Sequence, residues 1–168
     1  MAHPKTLADL FHDLLKDVYY AERQIVKALP KMARAAQSPE LKRAFEDHLA
    51  QTETHIERLQ QVFDVIGKPA RGKTCPAMDG LLEEGEEAIA AFKDSPALDA
   101  ALIAGAQAVE HYEISRYGTL RAWAELMAIP EAVELLDKTL DEEADTDEML
   151  GELATSQANP AAAAGLRR

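Results

Sequence analysis

The chain contains one cysteine, Cys75, so no intrachain disulfide can form, and a reducing compartment is its expected home. It has no apolar run approaching the ~20 residues a bilayer-spanning helix needs, so no membrane partner is expected. Its opening, "MAHPKTLADLF", lacks the charged-then-apolar plan of a signal peptide, which adds to the expectation of a cytoplasmic protein. Positive charge is scarce: 18 Lys and Arg stand against 30 Asp and Glu, for a net charge of −12. Such a chain repels a phosphate backbone, and direct nucleic-acid binding is not expected. Also missing are a glycine-rich phosphate loop, a Ser-His-Asp nucleophile elbow and a Cys-x-x-Cys zinc pair.

What the chain does have is helix-forming composition. Of its 168 residues 47% are hydrophobic and 29% charged, with Ala, Leu and Glu prominent, which suits a single all-α domain. Four long segments carry helical periodicity, over about 6–36, 39–66, 97–128 and 131–154. The inward positions of the first are Phe11, Leu15, Val18, Glu22, Ile25, Leu29 and Met32, the alternating steps of four and three of a bundle seam. Pro30 is expected to bend that helix or mark an irregularity near its end. The second seam runs Leu41, Phe45, His48, Thr52, His55, Leu59, Val62, Ile66, and Gly67 ends it. The third runs Ile103, Ala106, Glu110, Glu113, Tyr117, Leu120, Ala124, Met127; the fourth runs Val133, Leu136, Leu140, Glu143, Asp147, Leu150, Ala154.

The turns "QSPE" and "IPE" are tight and make antiparallel hairpins. The stretch 67–94 is long, loop-like at first and then a short helix in "LLEEGEEAIAAF". These features predict an antiparallel four-helix bundle with one long crossover carrying a short helix, the ferritin-like plan. The domain is expected to span 1–155. The tail 156–168, "SQANPAAAAGLRR", has no amphipathic face and is expected to be loose and flexible.

Every seam is interrupted by polar residues, and antiparallel packing brings the interruptions level. Glu22 lies about 15 residues before the first turn and Thr52 about 15 after it, at ~1.5 Å rise per residue. Glu113 and Asp147 each lie about 17 residues from the second turn, and Glu143 about 13. Glu110 and Glu113 share one helix face, as do Glu143 and Asp147. Glu22, Glu110, Glu113, Glu143 and Asp147 are therefore expected to converge, with His55 beside them. Taken singly, each Glu is more readily an edge residue with a solvated head. Together, five buried carboxylates with no Lys or Arg on the seams call for protonation or for cations. Two divalent metal ions bring +4 and accept oxygen and imidazole ligands, so Glu22, His55, Glu110, Glu113, Glu143 and Asp147 are the candidate metal ligands. His48 is read as a hydrogen-bonded core histidine supporting the site from one turn away. Tyr117 is read as a core aromatic able to bond a ligand carboxylate, Glu53 and Glu57 as solvated surface, and Cys75 as an inert loop thiol. Arg71 and Lys73 would lower the Cys75 pKa were it exposed.

The motifs "DLLKDVYYAERQIVKALPKMA", "HLAQTETHIERL", "GKPARGKTCPAMDGLLEEGEE", "EHYEISRYGTL" and "LDEEADTDEMLGELA" resemble the YciE/YciF group of bacterial ferritin-like proteins over residues 4–155. The third motif is a loop, so helical composition cannot account for it. The resemblance implies a four-helix bundle with a dinuclear metal site, often dimeric, linked to stress responses, without a settled activity. Against the wider ferritin-like pattern, Glu22, Glu113 and Glu143 match the helix-borne ligands, and Glu110 is similar to the extra third-helix Glu of rubrerythrins. Two departures stand out. The usual Glu-x-x-His reads Thr52-Glu53-Thr54-His55, and Asp147 follows Glu143 where an i+3 His is common. Both tell against standard ferroxidase chemistry. Iron is the first expectation, and manganese and zinc also suit such a ligand set.

The functional expectation is a stress-response protein with a dinuclear metal site that binds or oxidises iron or detoxifies peroxide, as a ferroxidase, peroxidase or catalase-like oxidoreductase. The alternative is a non-enzymatic bundle in which metal only stabilises the fold. No signal points to a mineral-storing cage. Leu10, Leu14, Tyr19 and Tyr20 widen the apolar surface of the first helix beyond one seam, which predicts a homodimer.

Overall fold

The computed structural model describes residues 4–165. Five helices of several turns make the frame: α1 Leu7–Ala35, α2 Pro39–Val65, α3 Pro76–Ala91, α4 Leu98–Leu126 and α5 Pro130–Leu153. Among the described residues there is no strand, and no helix is long and apolar enough to cross a membrane. The helix starts follow local chemistry. Thr6 and Asp9 form a reciprocal capping box on α1, and the Ser38 hydroxyl accepts from Leu41 N with Pro39 at the first position of α2. Pro30 lies inside α1, which continues through it to Ala35.

α1 packs chiefly on α2 and α4 on α5, the two pairs closing through α1–α4 and α2–α5 contacts. One buried carboxylate joins the pairs. Asp99, in the first turn of α4, accepts from the backbone N–H groups of both Gln37 and Ser38 at 2.8 Å. The start of α4 is thereby tied to the α1–α2 turn, so the crossover returns the chain to the end where α2 began. The crossover itself is pinned to α1. Gly72 passes so close to Tyr20 that a Cβ would sit 3.1 Å from the Tyr20 Cβ. Lys73 N donates to Lys16 O, its ammonium reaches Asp13, and Tyr20 OH donates to Asp79.

Three expectations change. The tail is helical as far as it is described: Ala154–Ala158 forms a π-helical turn and α6, Asn159–Ala164, follows. Ala158 is buried against the first core cluster, so small residues dock where an amphipathic stripe was looked for; residues 166–168 lie outside the described residues. The apolar excess on α1 is covered by the chain itself. Leu14 and Tyr19 are buried, Tyr19 edge-on to Phe63, and Tyr20 is half-buried under the crossover, which leaves Leu10 exposed. Cys75 lies in the loop, at the N-cap position of α3, and is buried there with Sγ 3.0 Å from Tyr112 OH. The third change concerns α5. Its buried stripe is Ala132, Leu136, Thr139, Glu143, Thr146, Leu150. Leu136, Glu143 and Leu150 belong to both the expected and the observed stripe, but the flanking positions are Ala132, Thr139 and Thr146 instead of Val133, Leu140 and Asp147. Small side chains allow close helix approach, and the threonine hydroxyls are satisfied locally: Thr146 Oγ1 lies 2.9 Å from Glu142 O.

Candidate metal centre

Two apolar clusters fill the two ends of the bundle. One holds Ile25, Leu29, Phe45 and Leu102, the other Phe11, Leu15, Leu59, Phe63 and Leu120. The polar side chains lie on the seams between them. α1 supplies Glu22; α2 supplies His48, Thr52 and His55; α4 supplies Glu110, Glu113 and Tyr117; α5 supplies Glu143. All eight are buried. Spacings of three and four put the α2 and α4 residues on one face of each helix.

His55 Nδ1 lies 3.0 Å from Glu143 Oε1 and 3.4 Å from Glu22 Oε1, in neither case aligned as a hydrogen bond. His48 Nδ1 lies 3.4 Å from Glu110 Oε1, and its Nε2 3.6 Å from Glu143 Oε2. Two sets of potential ligand atoms result, each set lying within 4.8 Å: His48, Glu110, Glu113 and Glu143, and Glu22, His55 and Glu143. Glu143 belongs to both. Most of these atoms have no protein partner: Glu22 Oε2, His48 Nε2, His55 Nδ1, Glu110 Oε2, and both oxygens of Glu113 and Glu143. Buried polar atoms are ordinarily paired, so this concentration of orphans calls for protons, water or ions to satisfy it.

The outer partners orient the inner ones. Tyr117 OH donates to Glu22 Oε1. His55 Nε2 lies 2.9 Å from Glu142 Oε2, and Glu142 is gripped by Arg58 through two bonds, of 2.6 and 2.8 Å. Arg58 also donates to Thr139 Oγ1 at 3.2 Å. The Arg58 guanidinium holds the Glu142 carboxyl below the usual range, so an anion faces His55 Nε2–H and leaves Nδ1 as the ring atom facing the cluster.

The cluster's electrostatics without metal follow from crowding. Burial pushes Glu110 and Glu113 well above the usual carboxylate range, and the charge of Glu143 pushes the same way. Burial also pulls against charge on His55, but the adjacent carboxylates of Glu143 and Glu22 outweigh it and carry the imidazole up to about 10. Burial disfavours charge on Glu143 too, yet the two histidines draw it down to about 2. Free of metal, the surroundings therefore favour the protonated forms of Glu110 and Glu113 and the charged forms of His55 and Glu143.

Of the six residues expected to converge, Glu22, His55, Glu110, Glu113 and Glu143 are brought together. Asp147 is not. Its Oδ1 accepts from Gln107 Nε2 at 3.1 Å, its Oδ2 lies 3.1 Å from exposed His111, and its side chain is 23% exposed. The one-position rotation of the α5 stripe is the cause: buried Thr146 takes the inward place, and one residue on a helix is ~100° away. His48, expected to support from a distance, stands in a ligand set. Glu142 and Arg58 went unnoticed because both sit off the seams. The available signal was Arg58 three residues after His55, opposite a carboxylate one residue from Glu143.

Residues 6–163 match the family model for a domain of unknown function, DUF892. Protein YciF of Escherichia coli K12 is 45% identical over 156 residues, covering 92% of this chain and 94% of that one. The chain belongs to the YciF family. The crystal structure of the E. coli stress protein YciF matches with a TM-score of 0.88 at 44% identity, over 93% of this chain and 99% of that one. YcfI from Rhodopseudomonas palustris matches with a TM-score of 0.85 at 47% identity, over 88% of this chain and 94% of that one. A Xanthomonas campestris protein, 22% identical with a TM-score of 0.67, shares the fold. The YciF-family match takes in all four helices that carry the buried cluster, the crossover and nearly all of the helical tail.

Proposed function

We propose that this YciF-family chain is a stress-response protein that holds two divalent metal ions between its helices, with iron first among the candidates and manganese and zinc after it. Glu143 carries the reading: it alone belongs to both ligand sets, the position of a bridging carboxylate. His48, Glu110 and Glu113 would complete one half, and Glu22 and His55 the other. The donor set of carboxylate oxygens and imidazole nitrogens fits these cations. When bound, the pair would supply +4 of charge and, for iron or manganese, a redox couple, through which ferrous iron would pass electrons to dioxygen or peroxide, or peroxide would be broken down. The chain's own contribution is orientation and exclusion of water. Glu142 fixes His55, Tyr117 fixes Glu22, and the two apolar clusters close the bundle above and below.

Thr52 and Thr146 favour a second reading, in which metal only stabilises the fold. Thr52 replaces the Glu of a Glu-x-x-His pair, and Thr146 stands three residues after Glu143 where a His would complete another. Elemental analysis of protein purified without added metal, joined to assays of ferrous-iron oxidation and peroxide consumption, separates the readings. Two ions per chain with turnover supports the redox protein; two ions without turnover supports the structural one; absence of metal overturns both. Cytoplasmic location suits the single buried thiol. A homodimer draws its support from exposed Leu7, Leu10, Val65 and Leu126, at the start of α1 and the ends of α2 and α4.

A further inference from the structure

The centre is sealed at both ends by apolar side chains, yet ions must reach it. Between α2 and α5 lies an open cleft of about 460 Å³ that descends to His48 and Thr146. Both floor residues are buried, with 5% and 6% exposed. Above them the Gln51 amide oxygen lies 3.2 Å from Thr146 Oγ1 and closes part of the floor. The rim carries Glu40, Asp47 and Glu152 against Arg43, a surplus of negative charge. His48 is the wall between cleft and cluster. It lines the cleft on one side, while its ring nitrogens lie 3.4 Å from Glu110 and 3.6 Å from Glu143 on the other, with Nε2 lacking a hydrogen-bond partner.

We propose that this α2–α5 cleft is the loading route for hydrated divalent cations, with the acidic rim as the collecting site and His48 as the residue that hands the ion inward. The inference rests on the metal-centre reading above. The rim concentrates cations by its field. The cleft has room for an ion with its water shell. His48 stands between cleft and cluster, and its unpartnered Nε2, 3.6 Å from Glu143, is the first nitrogen an ion meets once past the floor. Removal of the Gln51 head from Thr146 widens the floor without disturbing a helix, since the contact joins two side chains.

The test is the rate of Co²⁺ uptake by the metal-free full chain, followed by its visible absorption after rapid mixing. Asp47→Lys/Glu152→Lys reverses two exposed rim charges and leaves every residue of the two ligand sets unsubstituted. Glu83→Lys/Glu87→Lys makes the same change in net charge on exposed α3 positions, α3 packing on α1 and α4. The rim variant should load at least ~10-fold more slowly at low ionic strength, within the range of electrostatic steering, and reach the same final stoichiometry. The α3 variant should load at the wild-type rate. Equal rates in wild type and rim variant, or equal slowing in both variants, overturn the route while leaving the centre intact. A wild-type protein that takes up no Co²⁺ overturns the metal centre and the route together.

Discussion

Glu142 Oε2 lies 2.9 Å from His55 Nε2, and the same carboxylate is clamped by Arg58. An imidazole so held presents Nδ1, and no other ring atom, to Glu22 and Glu143. Partners of this kind around a metal ligand contribute about 10- to 100-fold in affinity. Glu142→Gln should therefore weaken metal binding by about that factor, with the helical content unchanged. Metal titration against a competing chelator, alongside circular dichroism, checks both parts.

Asp147 and Glu143 make opposite predictions although they are four residues apart. Asp147→Asn should leave metal stoichiometry and absorption untouched, because its carboxylate faces Gln107 and His111. Glu143→Gln should lose both ions, since it belongs to both ligand sets. Equal metal loss in the two variants would restore Asp147 to the centre.

Removing metal should lower Tm near neutral pH. A ligand at 100 to 1,000 times its Kd stabilises the folded state by about 3–4 kcal/mol, or about 10 °C for a chain of this size. Glu113→Gln should narrow that gap, and Glu57→Gln, on the exposed face, should leave it alone. Thermal unfolding of the three proteins with and without chelator reads the comparison; an unchanged wild-type Tm on chelation, in protein shown beforehand to contain no metal, would count against the centre.

The metal-free protein should become less stable as pH rises. Glu110 and Glu113 keep their protons in the folded state above 4.5, where the unfolded chain releases them. His55 has the same sign between 6.5 and about 10. In both windows the folded state binds more protons, so stability falls with increasing pH. Glu143, held at about 2, acts oppositely and only below 4.5. Each extra proton retained over one pH unit costs about 1.4 kcal/mol, or about 3 °C. Tm of the metal-free protein should thus be clearly lower at pH 9 than at pH 6, and metal should flatten the slope.

Asp99→Ala should destabilise the bundle by about 3 kcal/mol, because two backbone donors at the α1–α2 turn lose one charged acceptor. Denaturant unfolding should show the lower midpoint, with metal stoichiometry preserved.

The helices themselves were legible in the sequence, because the apolar period and the caps are local properties. Thr6 with Asp9, Ser38 with Pro39, and the Leu41–Val62 stripe act within a few residues. The convergence of Glu22, His55, Glu110, Glu113 and Glu143 was legible too. Counting residues from a tight turn sets height in an antiparallel pair, and height does not depend on side-chain detail. Rotation of a helix about its own axis is different. On α5 two stripes share Leu136, Glu143 and Leu150, and the apolar Val133 and Leu140 made the wrong one more persuasive. The choice fell to Ala132, Thr139 and Thr146, whose small side chains let α2 and α4 approach; the two threonine hydroxyls find Arg58 and Gln51 across the gap. That choice is a property of three helices at once. It turns Asp147 outward and sets Glu142 against His55, while on α2 the packing carries His48 into the cluster. Local sequence therefore set where the four long helices run and at what level the charges meet; only packing decided which way each side chain points and that the tail folds as helix.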